Sequence, residues 1–585
     1  MKKYLFIALA LLGMASCAKD DLGNGNKPNH NGEVEESYIA INLMAADVDS
    51  RAEGSPSEDF GLEYGRDAER AIKSAHFFFY KDGEPFTVNA TNDAATAPGG
   101  TQNHLKLTIS KTGSTADPAV NVSDISEAVL VLKTYKGEYP NQIVAVLNWT
   151  PVDNKSYTLS DLRDIVEANS LGNDDQGYVM SNSVYMNNAD EPVYVTPITA
   201  DNIKTDPKEA TDAPVEIYVE RTAAKVIVTN TKATENSNRY QVTEENGFKP
   251  VGEAARNVYV ELLGWELYNE FENTNLLKKI ENWDPATLGL TWNDIPFFRS
   301  YWAKTINTRT ENDKFRWNYT LDTGASTFNG LPTQYGYKVA SDASYAADTY
   351  AYCGENTLDW ATNDVRTKVI LKGRLVEKVG ENYQTLELAR WYGNEYAGEI
   401  DLKTAVANSL AYSVFYYDTT NSKYVSIDPS HIEIVHGDVV GAEAFQVGFQ
   451  LTADCSKYQW YKYSSATGYV AFSETGLTNI EAANKYLKGI QPAVLYKGGD
   501  TYYIVDIKHL GKSSTAPAYY GVVRNHVYQL DIQSISGYGS PGYSGFEHEV
   551  ENPEYPDDED ESSYVAAKIN VLSWKVVKQT VDIVQ

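Results

Sequence analysis

The chain has 585 residues, a length that suggests about three or four domains, and its 80 acidic against 50 basic residues leave a net charge of −30. No basic tract is present, which argues against a nucleic-acid partner, since phosphate contacts need clustered Lys and Arg. No internal apolar run reaches membrane-spanning length. The 43 tyrosines and 10 tryptophans, with many Val, Ile and Thr, favour strands, and 40 glycines and 21 prolines supply turns between them. The expected class is a large, extracellular, mainly β protein.

Met1-Lys2-Lys3 gives a positive start, and Tyr4 to Leu12 forms an apolar run too short for a stable membrane anchor. Ala15 and Ser16 stand directly before Cys17, the arrangement a bacterial lipoprotein signal needs for cleavage and thiol acylation. Lipid on Cys17 then holds the precursor at a membrane surface. The remaining cysteines, Cys353 and Cys455, could pair in an oxidising compartment but are too few for a disulfide framework, and two buried free thiols is the favoured reading.

Residues 18–36 have almost no apolar content and read as a tether. A strand follows, with Ile39, Ile41, Leu43 and Ala45 alternating with Ala40, Asn42 and Met44. It runs into Asp47-Val48-Asp49-Ser50-Arg51 and the soft stretch Ala52-Glu53-Gly54-Ser55-Pro56-Ser57. An arginine in such a loop is open to a trypsin-like protease, although many secreted chains carry one. Strands are expected over 75–80, 128–135 and 142–148. A short helix is expected over 160–170, with Ser160 as N-cap and Leu162, Ile165 and Val166 on one face. The polar stretch 199–214 marks a domain boundary, after which one strand runs over 215–230. Later strands are expected at 258–268, 367–376, 432–435, 444–451, 493–496, 501–507 and 526–535. The run Asp557-Asp558-Glu559-Asp560-Glu561 repels itself and reads as a solvated hinge; it lacks the ligand spacing of a calcium loop.

The segment 565–585 is strand-like to the last residue. Ala567, Ile569 and Val571 share one parity, Leu572, Trp574 and Val576 the other, and Val577, Val581 and Ile583 return to the first. Two phase changes in a period-2 pattern imply bulges or a break into two strands. Such a tail either completes its own domain or is a donor strand that completes a neighbouring subunit.

No catalytic constellation emerges. Gly537-Tyr-Gly539-Ser-Pro-Gly542 spells a dinucleotide fingerprint but is not followed by a helix. Gly511-Lys512-Ser513 lacks the first phosphate-loop glycine, its place being taken by Asp506. His431 and His436 lie five apart on an expected strand, hence on opposite faces, and no G-x-S-x-G elbow occurs. Paired acids for glycoside hydrolysis are as numerous as an acidic surface makes them. The chain reads as a non-enzyme with no cofactor and no metal. The alternative is a surface glycan-binding or glycan-degrading lipoprotein, which free aromatics on a flat face would favour.

Several stretches together resemble the fimbrillin family, the type V pilins of Bacteroidetes, and most of all the shaft subunit of short fimbriae. They are Ile217–Val228, Leu263–Asn269, Arg299–Ala303, Tyr352–Thr357, Gly521–Tyr528 and the ending Ile569–Val576. The lipoprotein start fits as well, and Ala18-Lys19-Asp20-Asp21 resembles a surface-export tag. The resemblance implies two transthyretin-like β-sandwich domains with a few short helices. Its boundaries are a signal peptide over 1–16, a propeptide over 17–51, β domains over 52–214 and 215–563, and a donor-strand tail over 564–585.

The resemblance also implies a mechanism. The lipoprotein precursor is exported to the outer membrane through Cys17, and an arginine-specific protease cuts between Arg51 and Ala52, with Arg66 and Arg70 as the other candidate arginines. The discarded strand, with Ile39, Ile41 and Leu43, had filled a groove in the first domain. The tail of another copy then fills it, through Ile569, Val571, Leu572, Trp574, Val577, Val581 and Ile583. Burying four or five large side chains at about 1.5–3 kcal/mol each would make a long-lived joint, offset in part by ordering the tail. The partners implied are the chain itself, accessory tip and anchor proteins, the protease, and host or bacterial surface receptors, with roles in adhesion, biofilm formation and virulence.

Overall fold

A computed structural model describes residues 34–45, 66–88, 101–108, 127–135, 137–168, 172–186, 192–229, 238–242, 248–268, 270–271, 273–280, 302–305, 315–316, 350–357, 366–436, 446–509, 517–541, 565–571 and 575–581. The fold is mainly β, as the composition requires. The first sheet is built from β1 (Val34–Ala45), β2 (Ser74–Lys81), β3 (His104–Thr108), β4 (Glu127–Tyr135), β5 (Gln142–Leu147), β6 (Met180–Asn182), β7 (Ile203–Lys204) and β8 (Val215–Arg221), with two short strands at its margins. Its main path runs β7-β1-β8-β6-β5-β2, with β4 also on β1 and β3 also on β2.

The run Ala-His-Phe-Phe-Phe-Tyr of β2 is apolar on both parities because both faces of this sheet are covered. Phe77 and Phe79 join Ile39, Ile143, Leu147, Val215 and Ile217 in one core. Phe78 and Tyr80 join Val144, Val146, Tyr157 and Leu162 in another.

The expected single strand over 215–230 is two. β8 belongs to the first sheet, the chain crosses at Thr222–Ala223, and β9 (Ala224–Thr229) enters the next. The passage between sheets therefore lies after β8, not before residue 215. The polar stretch 199–214 carries a loop, a three-residue helical turn, β7 and a short helix that return the chain to β1.

The second unit is a β-sandwich. One sheet holds β9, β11 (Tyr350–Cys353), β14 (His526–Ile535) and the two tail strands β15 (Val565–Val571) and β16 (Lys575–Val581). The other holds β10 (Val258–Tyr268), β12 (Lys368–Val379), β13 (Asp500–Asp506) and shorter neighbours. Val226, Tyr528 and Leu530 from the first pack on Trp265, Leu371 and Tyr503 from the second.

β12 and β13 are hydrogen-bonded neighbours, yet more than a hundred residues separate them in sequence. That insertion builds its own core from α1 (Glu399–Leu410), α2 (Asn479–Leu487) and short hairpins, with Trp391, Leu402, Phe449, Trp460 and Leu487 at its centre. It returns to the sandwich at Gly499, where φ is +73° and a Cβ would stand 2.7 and 2.8 Å from the carbonyl oxygens of Leu375 and Leu386. Only glycine suits that position.

Other expectations shift locally. The helix expected over 160–170 spans Leu159–Asp164, because Thr158 rather than Ser160 caps it by accepting from the Asp161 N–H at 3.0 Å. Ile165 is already extended, and Val166–Ala168 pairs as a strand with Asn273–Asn275. His431 ends a 3-10 turn before the strand Ile432–His436 and does not share that strand with His436. Cys353 and Cys455 are buried and form no disulfide, in line with the favoured reading.

Candidate functional site

β1 is an interior strand. On one side it runs antiparallel to β4, from Val34 opposite Tyr135 to Asn42 opposite Glu127. On the other it meets β7 at Tyr38 and Ile39, then runs parallel to β8 from Ile41 opposite Val215 to Ala45 opposite Val219. Ile39 stands between Leu130 and Ile203 in the ladder and is fully buried. Ile41 and Leu43 follow in register with Val215 and Ile217. The walls of this slot carry Leu130, Leu132, Val215 and Ile217, all buried. Removing β1 would strip three strands of their ladder partner and open an apolar core to water, a costly state unless another strand enters.

The tail lies on the other sheet. β16 runs parallel to the first half of β14, with His526 opposite Lys575 and Leu530 opposite Gln579. β15 runs antiparallel to the second half, with Asp531 opposite Lys568 and Ile535 opposite Val565. The two tail strands also pair with each other, with Ile569 and Asn570 each meeting two partners. The phase changes read from the sequence are thus a break into two strands plus bulges. Ile569 and Val571 lie in β15, and Val577 and Val581 in β16. Cys17, Arg51, Ala52, Leu572, Trp574 and Ile583, like the acidic run 557–561, lie outside the described residues. Among the described residues, the tail pairs with its own second unit and not with the slot around β1.

Two buried ionic clusters join the units, and sequence reasoning missed both. Glu69, fully buried, pairs with Lys225 of β9 at 2.8 Å and with Arg66 at 2.9 Å, and accepts from the Tyr352 hydroxyl of β11. Burial pushes the Glu69 carboxyl up, but Lys225 and the other donors hold it below the usual carboxylate range. The second cluster sets Lys278 on Glu220 of β8 at 2.8 Å and Arg524 on Glu355. Arg524 also donates to the carbonyls of Asn275 at 2.6 Å and Leu276 at 3.2 Å. Burial raises the Glu355 pKa, with Arg524 and Lys278 opposing. The signal was present: Glu220, Lys225 and Arg524 are charges set inside apolar runs, which a packed core accepts only when paired.

The aromatic surface that a glycan platform would need is partly present, with Tyr424, Tyr463 and Tyr469 exposed and in mutual contact. On the hairpins of the inserted unit, Tyr424 and Tyr469 stack at 3.6 Å, and Tyr469 meets Phe415 edge-on at 5.1 Å. These rings are one another's partners. Among the described residues, no group of His, Cys, Asp and Glu could hold a metal ion.

No curated protein matches the chain. Among solved structures, a candidate cell adhesion protein from Parabacteroides distasonis aligns at 10% identity and a TM-score of 0.33, over 94% of this chain and 98% of that one. One from Bacteroides eggerthii aligns at 11% and 0.32, over 92% and 97%. The tip fimbrial protein Mfa3 from Porphyromonas gingivalis, C-terminally truncated, aligns at 12% and 0.26, over 85% and 95%. Residues 494–580 match the family described as major fimbrial subunit protein type IV, fimbrillin, C-terminal. That span takes in β13, β14, β15 and nearly all of β16. From the strand before β13 to the terminal hairpin, the chain is similar to the C-terminal region of fimbrillins, the family its sequence resembles.

Proposed function

We propose that this chain is a shaft subunit of a surface fimbrium that polymerises by protease-triggered strand exchange. The observation that supports it most is the interior place of β1, a strand at the very start of the described chain. It is walled on both sides, and a sequence containing Arg51 joins it to the body. In this reading the precursor reaches the outer membrane as a lipoprotein acylated at Cys17, and cleavage between Arg51 and Ala52 releases β1. The vacated slot then receives the tail of another copy, with Ile569, Val571, Leu572, Trp574, Val577, Val581 and Ile583 supplying apolar side chains. Accessory tip and anchor subunits complete the fimbrium, which serves adhesion and biofilm formation.

Cleavage is the switch: an intact β1 keeps the slot full and the precursor monomeric. The fimbrillin match at residues 494–580 supports a fimbrial role, and a terminal hairpin placed at a sheet edge fits donation. Trypsin treatment of the purified full-length protein tests the reading. Oligomers that form a ladder on a gel only after cleavage, and are lost on boiling, are the expected result; a cleaved chain that stays monomeric at high concentration overturns it. Glycan binding is the second reading, for which the exposed rings of Tyr392, Tyr412, Tyr424, Tyr463 and Tyr469 would serve.

A further inference from the structure

Arg66 is the next basic residue after Arg51 in the chain. An arginine-directed protease must draw the arginine side chain into its own acidic pocket and hold the flanking backbone extended, with the carbonyl turned to its oxyanion donors. Each requirement is blocked at Arg66. The guanidinium fork donates to both carboxylate oxygens of Asp174, at 2.9 and 2.8 Å. Nε donates to Glu69 at 2.9 Å, Nη2 donates to the Tyr352 hydroxyl at 2.7 Å, and the Tyr350 ring lies 4.6 Å from the guanidinium carbon. Such planar bidentate pairing is among the stronger side-chain contacts.

The backbone is committed as well. The Arg66 N–H donates to Glu69 Oε2 at 3.0 Å, and the Arg66 carbonyl, which a protease would attack, accepts the Glu69 N–H at 3.0 Å. The residues after the bond are already in the helix Asp67–Arg70.

We propose that Asp174, Glu69 and Tyr352 form a clamp on Arg66 that confines arginine-directed cleavage to the leader side. Water then adds across the Arg51–Ala52 amide, leaving a carboxylate on Arg51 and an amine on Ala52, while the Arg66–Asp67 amide stays whole. The clamp sets where processing stops. Tyr352 lies in β11 and Asp174 in the loop before β6, so the stop depends on both units being folded and joined. Its purpose rests on the processing step proposed above, but the protection is a property of Arg66 and is measured there.

The test is a trypsin time course on the full-length chain, with new N-termini read by mass spectrometry. In the unchanged protein, ends at Ala52 should accumulate while ends at Asp67 lag by about tenfold or more, since cutting there needs local opening. Asp174→Asn and Tyr352→Phe, alone and together, should speed Asp67 ends by about tenfold without changing the Ala52 rate, because opening becomes easier. Leu402→Ala, in the core of the inserted unit, controls for general destabilisation and should leave Arg66 protected. Circular dichroism checks folding, and Tyr352→Phe removes one hydroxyl only. Asp67 ends forming as fast as Ala52 ends in the unchanged chain would overturn the clamp. So would clamp variants as resistant as the unchanged chain, or Leu402→Ala exposing Arg66 equally. If Ala52 ends never form while Arg66 protection depends on the clamp, the clamp stands and the processing reading fails.

Discussion

The two ends of the described chain are both strands, and they are held in opposite ways. β1 is enclosed, with β4 on one side and β7 and β8 on the other, and its Ile39 is fully buried. The tail lies along one edge of a single strand, β14, divided between two short ladders, one parallel and one antiparallel, interrupted by bulges. An enclosed strand leaves only when something severs or replaces it; a hairpin at a sheet edge has ladder partners to leave on one side alone. A subunit that gives up its first strand and offers its last would need that inequality.

The largest expected effect comes from loosening what ties the two regions together. Arg524→Met leaves Glu355 buried without its cation and should cost about 3–5 kcal/mol, seen as a lower urea midpoint by fluorescence. Replacing both residues with apolar ones of similar volume should restore much of the loss. Ile39→Ala should destabilise the uncut precursor by about 2–5 kcal/mol, yet leave assembled fibres unchanged if β1 has been discarded from them. Equal destabilisation of fibres would show that β1 stays in place.

Acid should weaken the first unit. His76 lies buried beside His104, ring centres 6.2 Å apart, and neither of its nitrogens has a hydrogen-bond partner among the described residues. Burial, with smaller pushes from His104 and Lys106, lowers its pKa from 6.5 to about 4. The unfolded chain therefore binds more protons than the folded one between those values. Stability is full above pH 6.5 and falls as the pH drops towards 4, by at most about 3 kcal/mol. Amide exchange in β2 and β3 should rise first, and His76→Gln should flatten the dependence. The smallest effect should follow deletion of residues 565–585. The thermal midpoint of the monomer should shift little while polymer formation is abolished; an unfolded product would show that the tail belongs structurally to its own sheet.

Much of this architecture was legible because strand residues alternate or run apolar according to how many faces are covered. β5, β10 and β14 fall where the pattern places them, and β14 matches to the residue. The split of residues 215–230 was hidden, since Thr222 and Ala223 are as compatible with a strand as their neighbours and only the change of sheet marks the break. The inserted unit went unread although Thr478 and Glu481 spell a capping box, with the Glu481 carboxylate accepting from the Thr478 N–H at 2.7 Å. Aromatic strands around it masked the helical spacing. At the candidate site, the alternation at Ile39, Ile41 and Leu43 marked a strand with one apolar face. That β1 is enclosed on both edges depends on partners far along the chain, which local pattern does not carry. The cage around Arg66 was likewise unreadable, because Asp174 and Tyr352 come from segments more than a hundred residues away.

The crossing at Thr222–Ala223 has a mechanical corollary. A pull on whatever occupies the place of β1 is taken up by β8, passes through two residues of backbone to β9, and spreads along the parallel ladder into β14 and the hairpin beyond. The globule inserted between β12 and β13 stands aside from that line. A filament strung in this way could change the ornament each bead displays while the thread kept its tensile strength.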